Sequence, residues 1–562
     1  MESWTQVTLE PTMRASAIRA SAIRVPPRQW GLGSSTGLIR LRYNRPKPQT
    51  GSSTSTELRQ ICNGSCGRHY SRASADSWDF AATHARARPL LPIVSMVVLL
   101  SVGYIGFGLP AEPLIITATF IAGGVAVFLG WTFDDVMASI SKTLAKVMPA
   151  FLILISVGFL IGAWMVGGTI PMIIYYGLEI ISPQYLAVTA LVVTSIVSIA
   201  TGTSWGSAGT IGVAFMGVAI GLDANLALVA GAVVAGAYFG DKMSPLSDTT
   251  NLAALTGGVN LYTHIANMLW TTGPAFLLSI IVFLTVGRSA TGGGGDLEAA
   301  TRINGFLGEA FQWNVLLLLP LVIVLVGSML RKPTIPVMML ASVVALANAL
   351  IFQGQNLANA VSATVSGFNL EMLNLVGIDP TTAPEEVSRL LERGGMGSMM
   401  GTLLIAFCAL SFAGAVARTG ALDLIVEKLL HVARTTTSLI LATIVICLVT
   451  IATTCNGQVS IVMPGEMLRE AYIKRGLHPK VLTRTLEDSV TVTETLIPWT
   501  AAGAYMAGTL GVSTLAYAPW AILNWSGMIF AAIWAVTGIG IKKITPEQQE
   551  EFIENPQVAM NA

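Results

Sequence analysis

Charge is scarce in this chain. Of 562 residues only 11% are Asp, Glu, Lys or Arg, while 53% are hydrophobic. Soluble domains carry about 25% charged residues, so the soluble globular class is excluded and a membrane protein is expected. Cysteine is also rare, with five in all. Cys62 and Cys66 lie near the N-terminus and Cys408, Cys447 and Cys455 in apolar surroundings, which implies no disulfide framework. The five histidines, His69, His84, His264, His431 and His478, show no H-x-x-x-H or Cys/His spacing, so zinc and haem find no ligand set and no cofactor is expected.

The 32 basic and 31 acidic residues look balanced but are unevenly placed. Residues 1–88 hold 12 Arg and Lys47 against five acids, leaving 19 basic and 26 acidic residues in the remainder. The basic excess sits in a tail and no basic stripe with interleaved aromatics follows it, so no nucleic-acid partner is expected. The tail is Arg- and Ser-rich, contains the near-repeat Arg14-Ala-Ser-Ala-Ile-Arg19-Ala-Ser-Ala-Ile-Arg24, and reads as disordered. Its composition fits an organellar transit peptide, and equally a start codon placed too far upstream.

From Pro89 onward, apolar runs recur at the length a helix needs to cross a ~30 Å hydrocarbon core. They cover 89–109, 113–130, 148–168, 265–287, 313–330, 335–353, 397–417 and 515–541. Two further apolar regions, 184–251 and 437–511, are broken by Gly, Pro and charge that a lipid-facing helix would not tolerate. They correspond. Val197-Ser-Ile-Ala-Thr201 matches Val449-Thr-Ile-Ala-Thr453 at an offset of 252, which also superposes Gly162 on Gly414 and Gly168 on Gly420. The chain therefore reads as a duplication: repeat 1 over 89–290, a linker over 291–312 with a flexible joint at Gly292–Gly295, repeat 2 over 313–543, and a C-terminal tail over 544–562.

Lys/Arg bias sets the orientation. Arg86, Arg88, Lys142, Lys146, Arg331 and Lys332 are expected on the cytoplasmic side, and the acidic stretch 354–396, with Arg389 and Arg393, outside. Basic residues flank 437–468 on both sides, from Arg418, Lys428 and Arg434 to Arg469, Lys474, Arg475, Lys480 and Arg484. That segment is expected to dip in from the cytoplasm and return, while 184–222, flanked by Glu179 and Asp223, enters from outside. The expected fold is an all-α polytopic membrane protein. It is an inverted repeat of two five-crossing halves, each with a re-entrant hairpin and a broken helix, with both termini in the cytoplasm.

The densest polar cluster is Gly240-Asp-Lys-Met-Ser-Pro-Leu-Ser-Asp-Thr-Thr-Asn251, and its counterpart is Glu487-Asp-Ser-Val-Thr-Val-Thr-Glu-Thr-Leu-Ile-Pro-Trp499. Intramembrane carboxylates are expensive unless they line a hydrated cavity or hold an ion. Aligned on their acids, Asp241 pairs with Glu487 and Asp248 with Glu494, each pair spaced by seven residues, about two helical turns. Pro245 and Pro498 break their helices and free carbonyls that, with hydroxyl and carboxyl oxygens, can bind a small hard cation. The candidate cation and proton site comprises Asp241, Ser244, Ser247, Asp248, Thr249, Thr250, Asn251, Glu487, Asp488, Thr491, Thr493 and Glu494, with Thr201, Ser204 and Asn456 at two hairpin tips. The bland alternatives are polar cytoplasmic loops for the clusters and small-residue helix packing for Thr201, Ser204 and Asn456. Gly202-Thr-Ser-Trp-Gly206 also fits the hydrolase pattern G-x-S-x-G, but that motif needs a strand before it, and here a membrane helix precedes it.

Three stretches carry a family resemblance: Ala200 to Val213, Gly167-Gly-Thr-Ile-Pro171 with Tyr175-Tyr-Gly-Leu178, and above all Gly236 to Leu252. They resemble the NhaC-type Na+/H+ antiporter family of the ion transporter superfamily. The second half carries the resemblance in Leu486-Glu-Asp-Ser489, Thr491-Val-Thr493, Pro498-Trp499 and Gly503-Ala-Tyr-Met506. It departs from the family pattern at Val490, Glu494-Thr495, Thr500 and Asn456-Gly457-Gln458, which bears on ion stoichiometry and the coupled solute. The resemblance implies a carrier of the cytoplasmic membrane that exchanges Na+ for H+, with lipid as its surroundings and a homodimer as its assembly. In such a carrier Asp248, with Asp241 or Glu494, holds either ion in turn. The family also contains exchangers of malate and lactate coupled to Na+ and H+.

Overall fold

The computed structural model describes residues 88–554 apart from 291–296, Arg331 and Arg393. The Arg-rich tail, the joint at Gly292–Gly295 and the last residues of the C-terminal tail lie outside the described residues. Every labelled element is a helix. The first half comprises α1 (Leu91–Val98, running on as a π-helix to Gly106), α2 (Ala111–Phe128), α3 (Phe133–Val166), α4 (Thr169–Ile180), α5 (Leu186–Thr201), α6 (Ser204–Gly221), α7 (Leu226–Met243), α8 (Asp248–Gly257) and α9 (Leu261–Ala290). Next come α10 (Leu297–Ala310), α11 (Val315–Met329), α12 (Thr334–Ile351), α13 (Leu357–Ser366), α14 (Met400–Val416) and α15 (Ala421–Val432). The last five are α16 (Thr436–Thr454), α17 (Gly457–Lys474), α18 (Pro479–Leu486), α19 (Ala501–Leu510) and α20 (Ile522–Thr537).

Among the described residues nine helices are long and apolar enough to cross a membrane, or up to eleven if two bent pairs each count as one span. The chain is an all-helical polytopic membrane protein. The bends fall between α10 and α11, at 106°, and between Thr514–Trp520 and α20, at 57°. The first bend adjoins the expected linker, whose described part is mostly the amphipathic helix α10, with Ile303 and Leu307 buried. The span expected at 148–168 begins earlier, at Phe133, where Thr132 and Asp135 form a reciprocal capping box.

Several backbone and side-chain details recur at a near-constant offset between the two halves of the chain. Gly168 and Gly420, 252 positions apart, occupy the left-handed region at the starts of α4 and α15. The offset then becomes 253. Helix α5 ends in left-handed Gly202 (φ 69°) and α16 in left-handed Cys455 (φ 56°), so the chain reverses at equivalent points. Glycine tolerates that conformation freely and cysteine does not. Thr203 and Asn456 then cap the following helices, accepting the amides of Gly206 and Val459. Across each reversal the Thr201–Ser207 hydroxyl pair (3.2 Å) matches the Thr454–Ser460 pair (2.7 Å). At the far end of the second hairpin Arg475 donates to the carbonyl of Ala433 at 2.9 Å, which ties its two ends together.

Candidate functional site

Each half contains one helix interrupted by proline. Helix α7 stops at Met243, the chain passes Pro245, and α8 starts after Ser247, whose hydroxyl caps the Thr250 amide. In the second half α18 runs into a π-helical turn over Glu487–Thr491, the chain passes Pro498, and α19 starts after Thr500, which caps the Gly503 amide. Prolines and caps are both 253 positions apart, so this offset aligns Asp241 with Glu494. The expected pairing of Asp241 with Glu487 and Asp248 with Glu494 is therefore replaced. The shared seven-residue spacing between acids is a coincidence of sequence, whereas proline and cap fix where each helix can break.

The equivalence extends to contacts. Asp241 accepts a hydrogen bond from Ser204 Oγ at 2.8 Å, and Glu494 accepts one from the Gly457 amide at 3.2 Å. Ser204 and Gly457 occupy the same position in the two hairpin tips. Asp241 is 7% exposed and Glu494 9%. Each carboxylate thus sits at the end of a broken helix, against the N-terminal turn of the helix leaving its own half's tip, where backbone amides favour negative charge. Gly457 leaves no room for a side chain, since a Cβ there would strike the Glu494 carboxyl group.

Both tips and both breaks line one cavity of about 700 Å³. Asp241, Asp248 and Glu494 line it, with Thr201, Ser204, Thr249, Asn251, Asn456 and Thr491. Asp248 is exposed to it, at the first turn of α8. Other expected residues serve the scaffold. Ser244 donates to the Ile199 carbonyl at 2.8 Å, Thr250 to the Lys242 carbonyl at 3.1 Å, and Thr493 to the Ser489 carbonyl at 2.5 Å. Asn251, besides lining the cavity, donates to the carbonyls of Pro245 (3.0 Å) and Ser247 (2.7 Å) and so holds the break open. Glu487 and Asp488 are fully buried beside the cavity but do not line it. Lys242, next to Asp241 in sequence, points away and pairs with Asp488. Sequence reasoning missed Lys146, Lys332 and Tyr238, which line the cavity with Gln458 of the second tip. Lys146, on α3, and Lys332, in the turn before α12, are remote in sequence from both clusters, and no local pattern marks them.

Three carboxylates and a ring of hydroxyl, amide and carbonyl oxygens can exchange a hard cation for protons. A chain of nine to eleven apolar spans whose interrupted helices converge on such a cavity is a multi-pass secondary transporter, not an enzyme. Residues 236–539 match the Na+/H+ antiporter family, and the chain belongs to that family. It is 57% identical over 456 residues to an uncharacterized Na+/H+ antiporter of Haemophilus influenzae, covering 81% of this chain and 96% of that one. It is 37% identical over 463 residues to the Na+/H+ antiporter NhaC of Alkalihalophilus pseudofirmus, covering 81% and 96%. It is also 35% identical over 430 residues to a malate-2H+/Na+-lactate antiporter of Bacillus subtilis, covering 76% and 90%.

Proposed function

We propose that the protein exchanges Na+ for H+ across the cytoplasmic membrane. The observation that carries this reading is the symmetric pair Asp241 and Glu494, each held under a hairpin tip and both facing one cavity. Na+ is held by Asp241, Glu494 and Asp248 with neighbouring hydroxyl and amide oxygens, and Na+ binding and proton binding exclude one another. The chain is an inverted repeat of two five-crossing halves, so rocking one half against the other presents the same site to either face. Lys146 and Lys332 at the cavity support an opening on the cytoplasmic side by the positive-inside rule, and we take both termini to lie on that side. Family resemblance supports a homodimer.

A second reading has a specific observation in its favour. Those two lysines bring cationic donors into the cavity, which is far larger than one ion, so a small organic acid could be bound beside the carboxylates. One experiment separates the readings: a Na+ step applied to proteoliposomes containing only this protein, with internal pH recorded. Full proton movement without organic acid supports Na+/H+ exchange. Movement that appears only after malate or lactate is added supports the second reading.

A further inference from the structure

Beside the cavity lies a second group of ionisable side chains that cation binding does not use. Glu487 is fully buried, and its carboxyl oxygens make no well-formed hydrogen bond among the described residues, the Thr491 hydroxyl being their near polar neighbour. Lys242 and Asp241 on α7 and Asp488 on its own segment act on it electrostatically. Asp488 is paired with Lys242, accepts from Thr271 on α9 at 3.0 Å, and feels Arg484 one turn earlier. His264, also on α9, meets the Thr483 hydroxyl through Nδ1 at 2.8 Å.

The charges do not cancel. Two cations, Lys242 and Arg484, face three carboxylates, Asp241, Glu487 and Asp488. A buried charge without a partner is costly, so the group needs one more positive charge. Asp241 can receive it as a cation, because it lines the cavity. Glu487 cannot, because it does not line the cavity and has no neighbouring ring of oxygens bonded to it. A proton needs neither. Thr491 offers the way in, since it lines the cavity and its hydroxyl is turned toward Glu487.

We propose that Glu487 is the proton-carrying group of the exchange cycle, separate from the cation site, and that a proton on Glu487 and a cation at Asp241 neutralise the same buried cluster in turn. The inference rests on the Na+/H+ reading above. When the cation leaves Asp241, Glu487 takes up H+ from cavity water to become a neutral carboxylic acid; when a cation enters, that proton returns to the water. Lys242 stays paired with Asp488 throughout and transmits the charge change between the two acids.

The test compares two fluxes in proteoliposomes of wild type, Glu487→Gln and Asp241→Asn: radioactive Na+ exchanging for unlabelled Na+, which needs no proton, and Na+-driven proton movement. Glu487→Gln, which fixes the charge of the protonated state, should lose Na+-driven proton movement by at least about tenfold and raise by at least about fivefold the Na+ concentration for half-maximal Na+/Na+ exchange, that exchange recovering at saturating Na+, whereas Asp241→Asn should lose both at every Na+ concentration. The proposal is overturned if Glu487→Gln keeps proton movement, or if its Na+/Na+ exchange stays absent at saturating Na+ while it elutes and melts as wild type does. If Glu487→Gln does not reach the membrane, Glu487→Asp decides: retained exchange with a displaced pH profile supports the proposal, and a profile superimposable on wild type overturns it. Failure of the underlying reading is distinguishable, because wild type itself would then show no Na+-driven proton movement.

Discussion

Asp241→Asn is the perturbation with the most calculable outcome. The substitution keeps size and the contact with Ser204, so it removes charge while leaving the break between α7 and α8 intact. A carboxylate and a Na+ about 4 Å apart at an effective dielectric constant of about 20 interact by about 4 kcal/mol. That corresponds to a loss on the order of 10² to 10³ in Na+ affinity. Asp248 is exposed to the cavity and better screened, so Asp248→Asn should cost about 1 kcal/mol, or roughly fivefold. Ser204→Ala removes one hydrogen bond to a charged acceptor and should fall between, at about 1.5–3 kcal/mol. Apparent Na+ affinity is read from the Na+ dependence of dequenching of a pH dye in vesicles. The reasoning is refuted if Asp248→Asn costs as much as Asp241→Asn, because burial would then not rank the acids.

Lys242→Met leaves Asp488 without its ion partner and should destabilise the fold by about 3–5 kcal/mol, seen as a lower melting temperature. The double variant Lys242→Met with Asp488→Leu should recover much of that loss, and no recovery would mean that the pair is not the cause. Gly202→Ala forces a side chain into a left-handed turn at a cost of about 1–2 kcal/mol, and its Cβ would come within 2.8 Å of the Leu246 backbone. Melting temperature and Na+ affinity should fall together; wild-type values for both would separate the first tip from its broken helix. Single cysteines at Arg434 and Lys474, both exposed, should be labelled from the same, cytoplasmic face in a background free of other cysteines, with Cys455 replaced by glycine to suit its backbone. Labelling from opposite faces would exclude a re-entrant hairpin.

Much of the helical framework was legible because a bilayer imposes a length on each apolar run, and the eight expected runs all fall on helices. The hairpin tips were legible for a related reason. Small hydroxyl-bearing residues beside Gly202 and Gly457 have no place in a lipid-facing helix, and the tips meet the broken helices as their composition implies. Register was harder. The seven-residue spacing within each acidic cluster drew the alignment onto Glu487, while Pro245 and Pro498, with the caps Ser247 and Thr500, fix it at Glu494. Partnership across the halves left no local trace. Lys242 is 246 positions from Asp488, and its direction depends on how α7 packs against the segment following α18. The same holds for Lys146 and Lys332, which periodicity could mark only as flanks of a span.

The central claim, that a cation and a proton neutralise the same buried carboxylate cluster in turn, is tested most directly by titrating Na+ into purified protein in weakly buffered detergent while recording pH. The account predicts that Na+ binding releases protons, that the release saturates with the binding isotherm, and that Asp241→Asn abolishes both. Na+ binding without proton release, or release that persists in Asp241→Asn, would contradict it.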